Sequence, residues 1–269
     1  MRLSIISSYF GPEEEGLPRL AAIGYRHLEA GRREDTAISA ARFVQVARDC
    51  GMQIHSVMSW HGGIADADEG TRRRVFDGLL SNIEWAAELG AKVLEVVPMW
   101  RGPAQEREEA WGRAVEALAR ASERARARGV TLAIEPVSRQ QSDLVNTLAQ
   151  AVAMARAAAS DCVKVMGDTH HMHLTERDIA RAIREAGPWL VNFHFSDNDR
   201  LPPALGQMDL VAVVRALAEV GYQGSLSLSE MAKAPDAETA ARLAHGFTQS
   251  LIEVCELRES LIRSARSAH

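Results

Sequence analysis

The sequence predicts a single (β/α)8 barrel, the TIM barrel of the α/β class, on three observations. Short apolar runs recur about once per strand–helix unit from one end of the chain to the other, with no linker between units. The length of 269 residues is close to the roughly 250 of one such barrel, so no second domain is required. No G-x-G-x-x-G or G-x-x-x-x-G-K-[ST] follows any of the runs, which counts against an open nucleotide-binding sheet.

The elements follow in order. Residues 3–7, Leu3-Ser4-Ile5-Ile6-Ser7, make the first strand candidate, and Gly11-Pro12 interrupts the chain soon after. A helix-like segment over 17–23 precedes a weaker second candidate at 24–30, Gly24-Tyr25-Arg26-His27-Leu28-Glu29-Ala30. The third spans 53–58 and the fourth 92–97. Between them Val75, Leu79, Leu80, Ile83 and Ala87 fall on one helical face. Residues 130–134, 162–166, 190–195 and 225–228 complete a set of eight. Glycines at Gly90, Gly129 and Gly221 sit where a helix C-cap is needed, just before the next strand. Thr175 followed by Asp178, and Ser142 before a periodic run from Leu144, read as helix starts. The barrel is assigned to 1–257. The stretch 258–269, with Arg258, Glu259, Arg263, Arg266 and His269, reads as a polar tail that frays.

Composition narrows the function classes. Just under half of the residues are apolar and a quarter are charged, the balance of a soluble chain with a large core. No run approaches the 18 or so apolar residues that span a bilayer, and the N-terminal run is too short for a secretory signal. A cytoplasmic location without a membrane partner is the expectation. Cys50, Cys162 and Cys255 are odd in number and far apart, which suggests neither a disulfide framework nor a thiolate zinc site. A net charge of −5 leaves no footprint for nucleic acid. Arg72-Arg73-Arg74 and Arg120, Arg124, Arg126 and Arg128 read as solvated helix faces, the latter interspersed with Glu116 and Glu123.

Four residues stand at the ends of successive late strands: Glu135 after Leu132-Ala133-Ile134, Asp168 after Val165-Met166-Gly167, His194 within Asn192-Phe193-His194-Phe195-Ser196, and Glu230 after Leu228-Ser229. Strand C-termini of a barrel converge on one face, so three carboxylates and one imidazole meeting there make a metal site. Taken singly, each has an ordinary structural explanation as a rim carboxylate or a satisfied core histidine. Four in succession favour a shared site. Trp60 and Trp100 are either stacking walls for a ring or rim packing. Glu95 either points into the barrel or pairs with an arginine.

With these motifs in order, the chain resembles the xylose isomerase-like barrels. Within them it is similar to the sugar and sugar phosphate isomerases and epimerases that include the D-tagatose 3-epimerase-like enzymes. The resemblance is carried by Glu135-Pro136-Val137-Ser138-Arg139-Gln140-Gln141, Asp168-Thr169-His170-His171-Met172, His194 to Arg200 with Pro203 to Asp209, and Gly221-Tyr222-Gln223-Gly224 before Glu230. It departs at Ser138, where the family has Asn, at Gln141, where it often has a substrate-binding Glu, and at Ala204, which replaces a loop Gly. Glu230 lies one residue later than the family spacing, with Ser229 at the usual place; such a shift flips a side chain unless a bulge absorbs it.

The resemblance implies a carbohydrate isomerase or epimerase working by proton transfer through a metal-bound enediolate of a sugar or small hydroxyketone. One divalent ion, Mn2+ or Mg2+ with Co2+ and Zn2+ as alternatives, would be held by Glu135, Asp168, His194 and Glu230. Glu135 and Glu230 would double as the acid–base pair. His171, Arg200, Gln141 and Trp60 would bind substrate, and a dimer or tetramer follows by family analogy. An inosose-dehydratase-like lyase is the alternative on the same site. An endonuclease IV-like hydrolase and a non-catalytic sugar-binding barrel rank below it.

Overall fold

The computed structural model describes residues 1–31, 38–103, 106–229 and 231–267. Eight parallel strands pair in sequence order and close into a barrel: β1 (Arg2–Ile6), β2 (His27–Gly31), β3 (Gln53–Met58), β4 (Val93–Val96), β5 (Thr131–Ile134), β6 (Val163–Asp168), β7 (Leu190–His194) and β8 (Ser225–Leu228). Closure runs through β1 and β8, where Arg2 is in register with Ser225 and Ile5 with Leu228. The strands lie within two or three residues of the expected runs. The largest displacement is in β2, which starts at His27 rather than Gly24, because Gly24 is the C-cap of the preceding helix with φ 125°.

Helices cover the outside: α1 (Glu13–Ile23), α2 (Ala40–Asp49), α3 (Glu69–Glu88), α4 (Arg107–Arg128), α5 (Leu148–Ala157), α6 (Thr169–Thr175), α7 (Ile179–Ala186), α8 (Leu210–Glu219) and α9 (Ala237–Ser267). Gly129 closes α4 in the left-handed conformation, as its position suggests. Two helix starts differ from expectation. Asp178 caps α7 by accepting from Arg181 N, whereas Thr175 ends α6. Ser142 caps no helix: its hydroxyl serves Trp100 and Leu144 in the loop, and α5 begins in a capping box between Thr147 and Gln150. The expected polar tail continues as α9 to Ser267; no Gly or Pro follows Gly246 to stop the helix. Among the described residues no helix is long and apolar enough to cross a membrane.

Outward-facing strand residues such as Leu28, Leu94, Ile134, Val165 and Phe193 join the main core against the helices. The barrel interior is different. Its apolar part is a separate small cluster of Val93, Ala133 and Met166. The rest is polar and buried: Ser4, Glu29, Ser56, Glu95, Asn192, Ser225 and Ser227. Barrel interiors are ordinarily packed with Val, Ile and Leu, so this lining has given up apolar packing for hydrogen bonding.

Two register irregularities precede key positions, one at Leu28/Glu29 between β2 and β3 and one at Val165/Met166 between β6 and β7. Gly167, directly before Asp168, has no room for a side chain: a Cβ there would stand 2.4 Å from Phe193 Cε2. Gly167→Ala is therefore expected to push Phe193 off its rotamer and cost roughly 1–3 kcal/mol, read as a lowered urea midpoint at unchanged m-value.

Candidate metal centre

β5, β6 and β7 each deliver one side chain to the barrel mouth. Pro136 ends β5, and Glu135 remains tied to β4 through its backbone N–H to Val96 O at 3.0 Å, which holds its carboxylate at the rim of the interior. Asp168 ends β6 and caps α6, its Oδ1 accepting from His170 N at 2.7 Å and His171 N at 3.3 Å. On β7, alternation turns Asn192 and His194 inward together. His194 Nδ1 lies 3.3 Å from Glu135 Oε1 and 3.5 Å from Asp168 Oδ2. One ligand atom from each of these three buried residues falls within 4.8 Å of the others.

The opposite ring nitrogen meets a second pair of carboxyl groups. His194 Nε2 lies 2.8 Å from Glu29 Oε2 and 3.6 Å from Glu95 Oε2, both fully buried. Glu29 also accepts from Ser56 Oγ at 2.8 Å, Asn192 Nδ2 at 2.9 Å and Ser227 Oγ at 2.8 Å. Burial alone would raise its carboxyl, but the imidazole and these donors outweigh that and hold it at about 2. Glu95 takes the other course. Burial, then the neighbouring Glu135, push it well above the carboxylate range, and its Oε2 has no hydrogen-bond partner. It points inward, as one sequence alternative had it, and its basic neighbour is His194 rather than an arginine.

Arg200 Nη1 donates to Asp168 Oδ2 at 2.7 Å, and its Nη2 lies 3.3 Å from His171 Nε2. Against the penalty of burial, His194 and Arg200 hold Asp168 well below its ordinary range. Burial likewise opposes the charged His194, but Glu29 first, with Asp168 and Glu135, raises it well above 6.5. Arg200 sits on a strained loop: Asp199 and Arg200 have φ of 54° and 59°, and Ala204, at the loop-glycine position, has φ 77°. Its backbone carbonyl accepts from Ala232 N at 2.6 Å, tying this loop to the segment after β8.

Of the expected ligands, the structure thus brings together Glu135, Asp168 and His194, and Glu230 lies outside the described residues. Just before it, Ser229 N donates to Ser227 O at 3.0 Å, a tight bend centred on Leu228. Strict alternation therefore stops short of position 230. Among the expected substrate residues, His171 and Arg200 adjoin the cluster. His171 is buried, and its Nδ1 accepts from Ser138 N at 3.3 Å, so at the position where the family has Asn it is the backbone that makes this contact. Gln141 has a buried amide oxygen with no partner. Trp60 stands exposed, while Trp100 is buried as packing. Glu29 escaped the sequence reading. Its signal was a lone acidic residue inside a strand-like run, flanked by Leu28 and Ala30.

The donor set fits a divalent cation. Among the described residues four buried carboxyl groups, Glu29, Glu95, Glu135 and Asp168, surround the His194 imidazole, with Arg200 and His171 beside Asp168. Two carboxylate oxygens and one imidazole nitrogen suit Mg2+, Mn2+ or Co2+. Among the described residues the two ligand-like clusters share His194, so they form one centre.

The family model described as xylose isomerase-like TIM barrel matches residues 17–251. The L-ribulose 3-epimerase of Mesorhizobium japonicum is 33% identical over 180 residues, 66% of this chain and 61% of that protein, so the match spans about three fifths of that relative. The D-psicose 3-epimerase of Agrobacterium fabrum is 27% identical over 237 residues, 84% of this chain and 81% of that protein. A solved L-ribulose 3-epimerase structure superposes with a TM-score of 0.88 at 25% identity, covering 97% of both chains.

Proposed function

The chain belongs to the xylose isomerase-like TIM barrel family, and from that premise we propose that it is a divalent-metal-dependent epimerase or isomerase of a ketose or a similar small hydroxyketone. The observation that carries this reading is the convergence of Glu135, Asp168 and His194 within 4.8 Å at the strand C-termini. Relatives named as L-ribulose and D-psicose 3-epimerases support a free ketopentose or ketohexose as the substrate class.

In this reading Glu135, Asp168, His194 and Glu230 hold Mn2+ or Mg2+. The cation, when bound, would polarise the substrate's carbonyl and adjacent hydroxyl oxygens, which acidifies the hydroxyl-bearing carbon next to the carbonyl. Glu135 then accepts a proton from that carbon on one face, and Glu230 returns one on the other. Delivery to the same carbon from the opposite face inverts it; delivery to the neighbouring carbon moves the carbonyl. Arg200 and His171 donate to substrate oxygens beside Asp168, with Gln141 and Trp60 lining the entrance. Burial of the cluster excludes water that would compete for the proton.

The test is exchange with solvent. With Mn2+ or Mg2+ supplied, L-ribulose or D-psicose in deuterated water is expected to gain deuterium at the carbon beside the carbonyl as the epimer or isomer accumulates, both read by NMR. Absence of exchange in a panel of ketoses and inososes, with metal bound, would overturn the reading. Loss of water from an inosose without sugar interconversion would replace it with the lyase.

A further inference from the structure

We propose that Glu29 is a positioning residue for His194, holding the imidazole from the barrel floor so that Nδ1, facing Glu135 and Asp168, is the nitrogen left to give its lone pair to a cation. The inference rests on the reading of that cluster as a metal centre.

The geometry is specific. Glu29 Oε1 accepts from Ser56 Oγ and Asn192 Nδ2, and Oε2 accepts from Ser227 Oγ while lying 2.8 Å from His194 Nε2. Side chains of β3, β7 and β8 thus converge on one carboxylate from β2, which is 0% exposed. Burying a carboxylate costs several kcal/mol, and as filler for a barrel an aliphatic side chain would serve at least as well. The arrangement instead gives the imidazole a direction. At 2.8 Å, in a contact that is ionic rather than an aligned hydrogen bond, a carboxylate oxygen favours the proton on Nε2, so in the neutral ring the lone pair is on Nδ1. That is the nitrogen facing Glu135 Oε1 at 3.3 Å and Asp168 Oδ2 at 3.5 Å.

Glu95 does not share this role. Its Oε2 is farther from Nε2, at 3.6 Å, and has no donor to fix it. Carboxylates behind metal-bound histidines set tautomer and ring orientation elsewhere, and their loss weakens metal binding by about 10- to 100-fold.

The test compares wild type with Glu29→Gln, Ser227→Ala and Ser225→Ala. Mn2+ affinity is measured by calorimetry, and the His194 tautomer by nitrogen-15 NMR of Zn2+-loaded, histidine-labelled protein. Wild type is expected to show His194 protonated at Nε2. Glu29→Gln is expected to bind Mn2+ about 10- to 100-fold more weakly and to shift both His194 nitrogens. Ser227→Ala, which removes one anchor of the carboxylate, is expected to do the same to a smaller degree and carries the test if Glu29→Gln fails to fold. Ser225, whose buried hydroxyl has no partner, is the control for disturbing the interior and is expected to leave both readouts unchanged. Wild-type Mn2+ affinity and unmoved His194 signals in either of the first two variants would overturn the proposal. A wild type that takes up neither ion, or Glu135→Gln and Asp168→Asn variants that bind Mn2+ as wild type does, would overturn the metal centre itself, and this role with it.

Discussion

Glu135→Gln is expected to lower kcat on the best ketose by about 10³-fold or more, with the fold and thermal midpoint close to wild type. Removing a general base alone costs typically 10²- to 10⁴-fold, and in the proposed mechanism the same substitution also takes one anionic oxygen from the cation. The fold is spared because the tie between β5 and β4 at this position is backbone, Glu135 N to Val96 O. Glutamine keeps the side-chain volume at the rim. The measurement is kcat beside a thermal melt. An unchanged kcat would remove Glu135 from the proton transfer, while a collapsed melt would mean that the carboxylate is structural.

Asp168→Asn is expected to be worse for the protein as a whole. Asp168 caps α6 through Oδ1 and receives Arg200 through Oδ2, the oxygen that also faces His194 Nδ1. An asparagine can keep the cap with its carbonyl oxygen, but its NH2 group then meets the Arg200 guanidinium, donor against donor. The contact with the half-buried Arg200 is lost, together with what the proposed function reads as a metal-binding oxygen. Metal content after gel filtration is expected to fall to background, and stability to drop by about 1–3 kcal/mol, read in urea. The pair of variants separates two ideas: if both lose metal and only Asp168→Asn loses stability, Asp168 organises the site that Glu135 uses. Equal destabilisation would point to a general intolerance of the barrel interior to carboxylate loss.

The fold was legible because its cause is local and repeated. Apolar runs at strand length, helical faces such as Val75 to Ala87 and the positive-φ glycines that end helices at Gly90, Gly129 and Gly221 each report short-range preferences, and their sum admits few topologies. Where the local signal was shared between two structures, the reading slipped. Ser142 has the residue type of a helix cap, but its hydroxyl is used by Trp100 from another loop, a partner 42 residues away. The composition of 258–267 is that of a frayed tail, yet nothing in it breaks a helix, and α9 runs on.

The sequence by itself determined the barrel, the order of the site strands and the three residues, Glu135, Asp168 and His194, that meet at its mouth, because strand ends in this fold have one place to go. Only the tertiary structure decided what stands behind them. Glu29 and Ser227 are 198 residues apart, and Glu29 and Asn192 are 163 apart, so no window of sequence shows that they share a hydrogen bond. Barrel closure through β1 and β8 brings side chains of β7 and β8 within reach of β2 across the interior. Burial pushes both carboxyls up; at Glu29 the imidazole and the hydroxyls that closure delivers reverse this, while at Glu95 the neighbouring Glu135 adds to it.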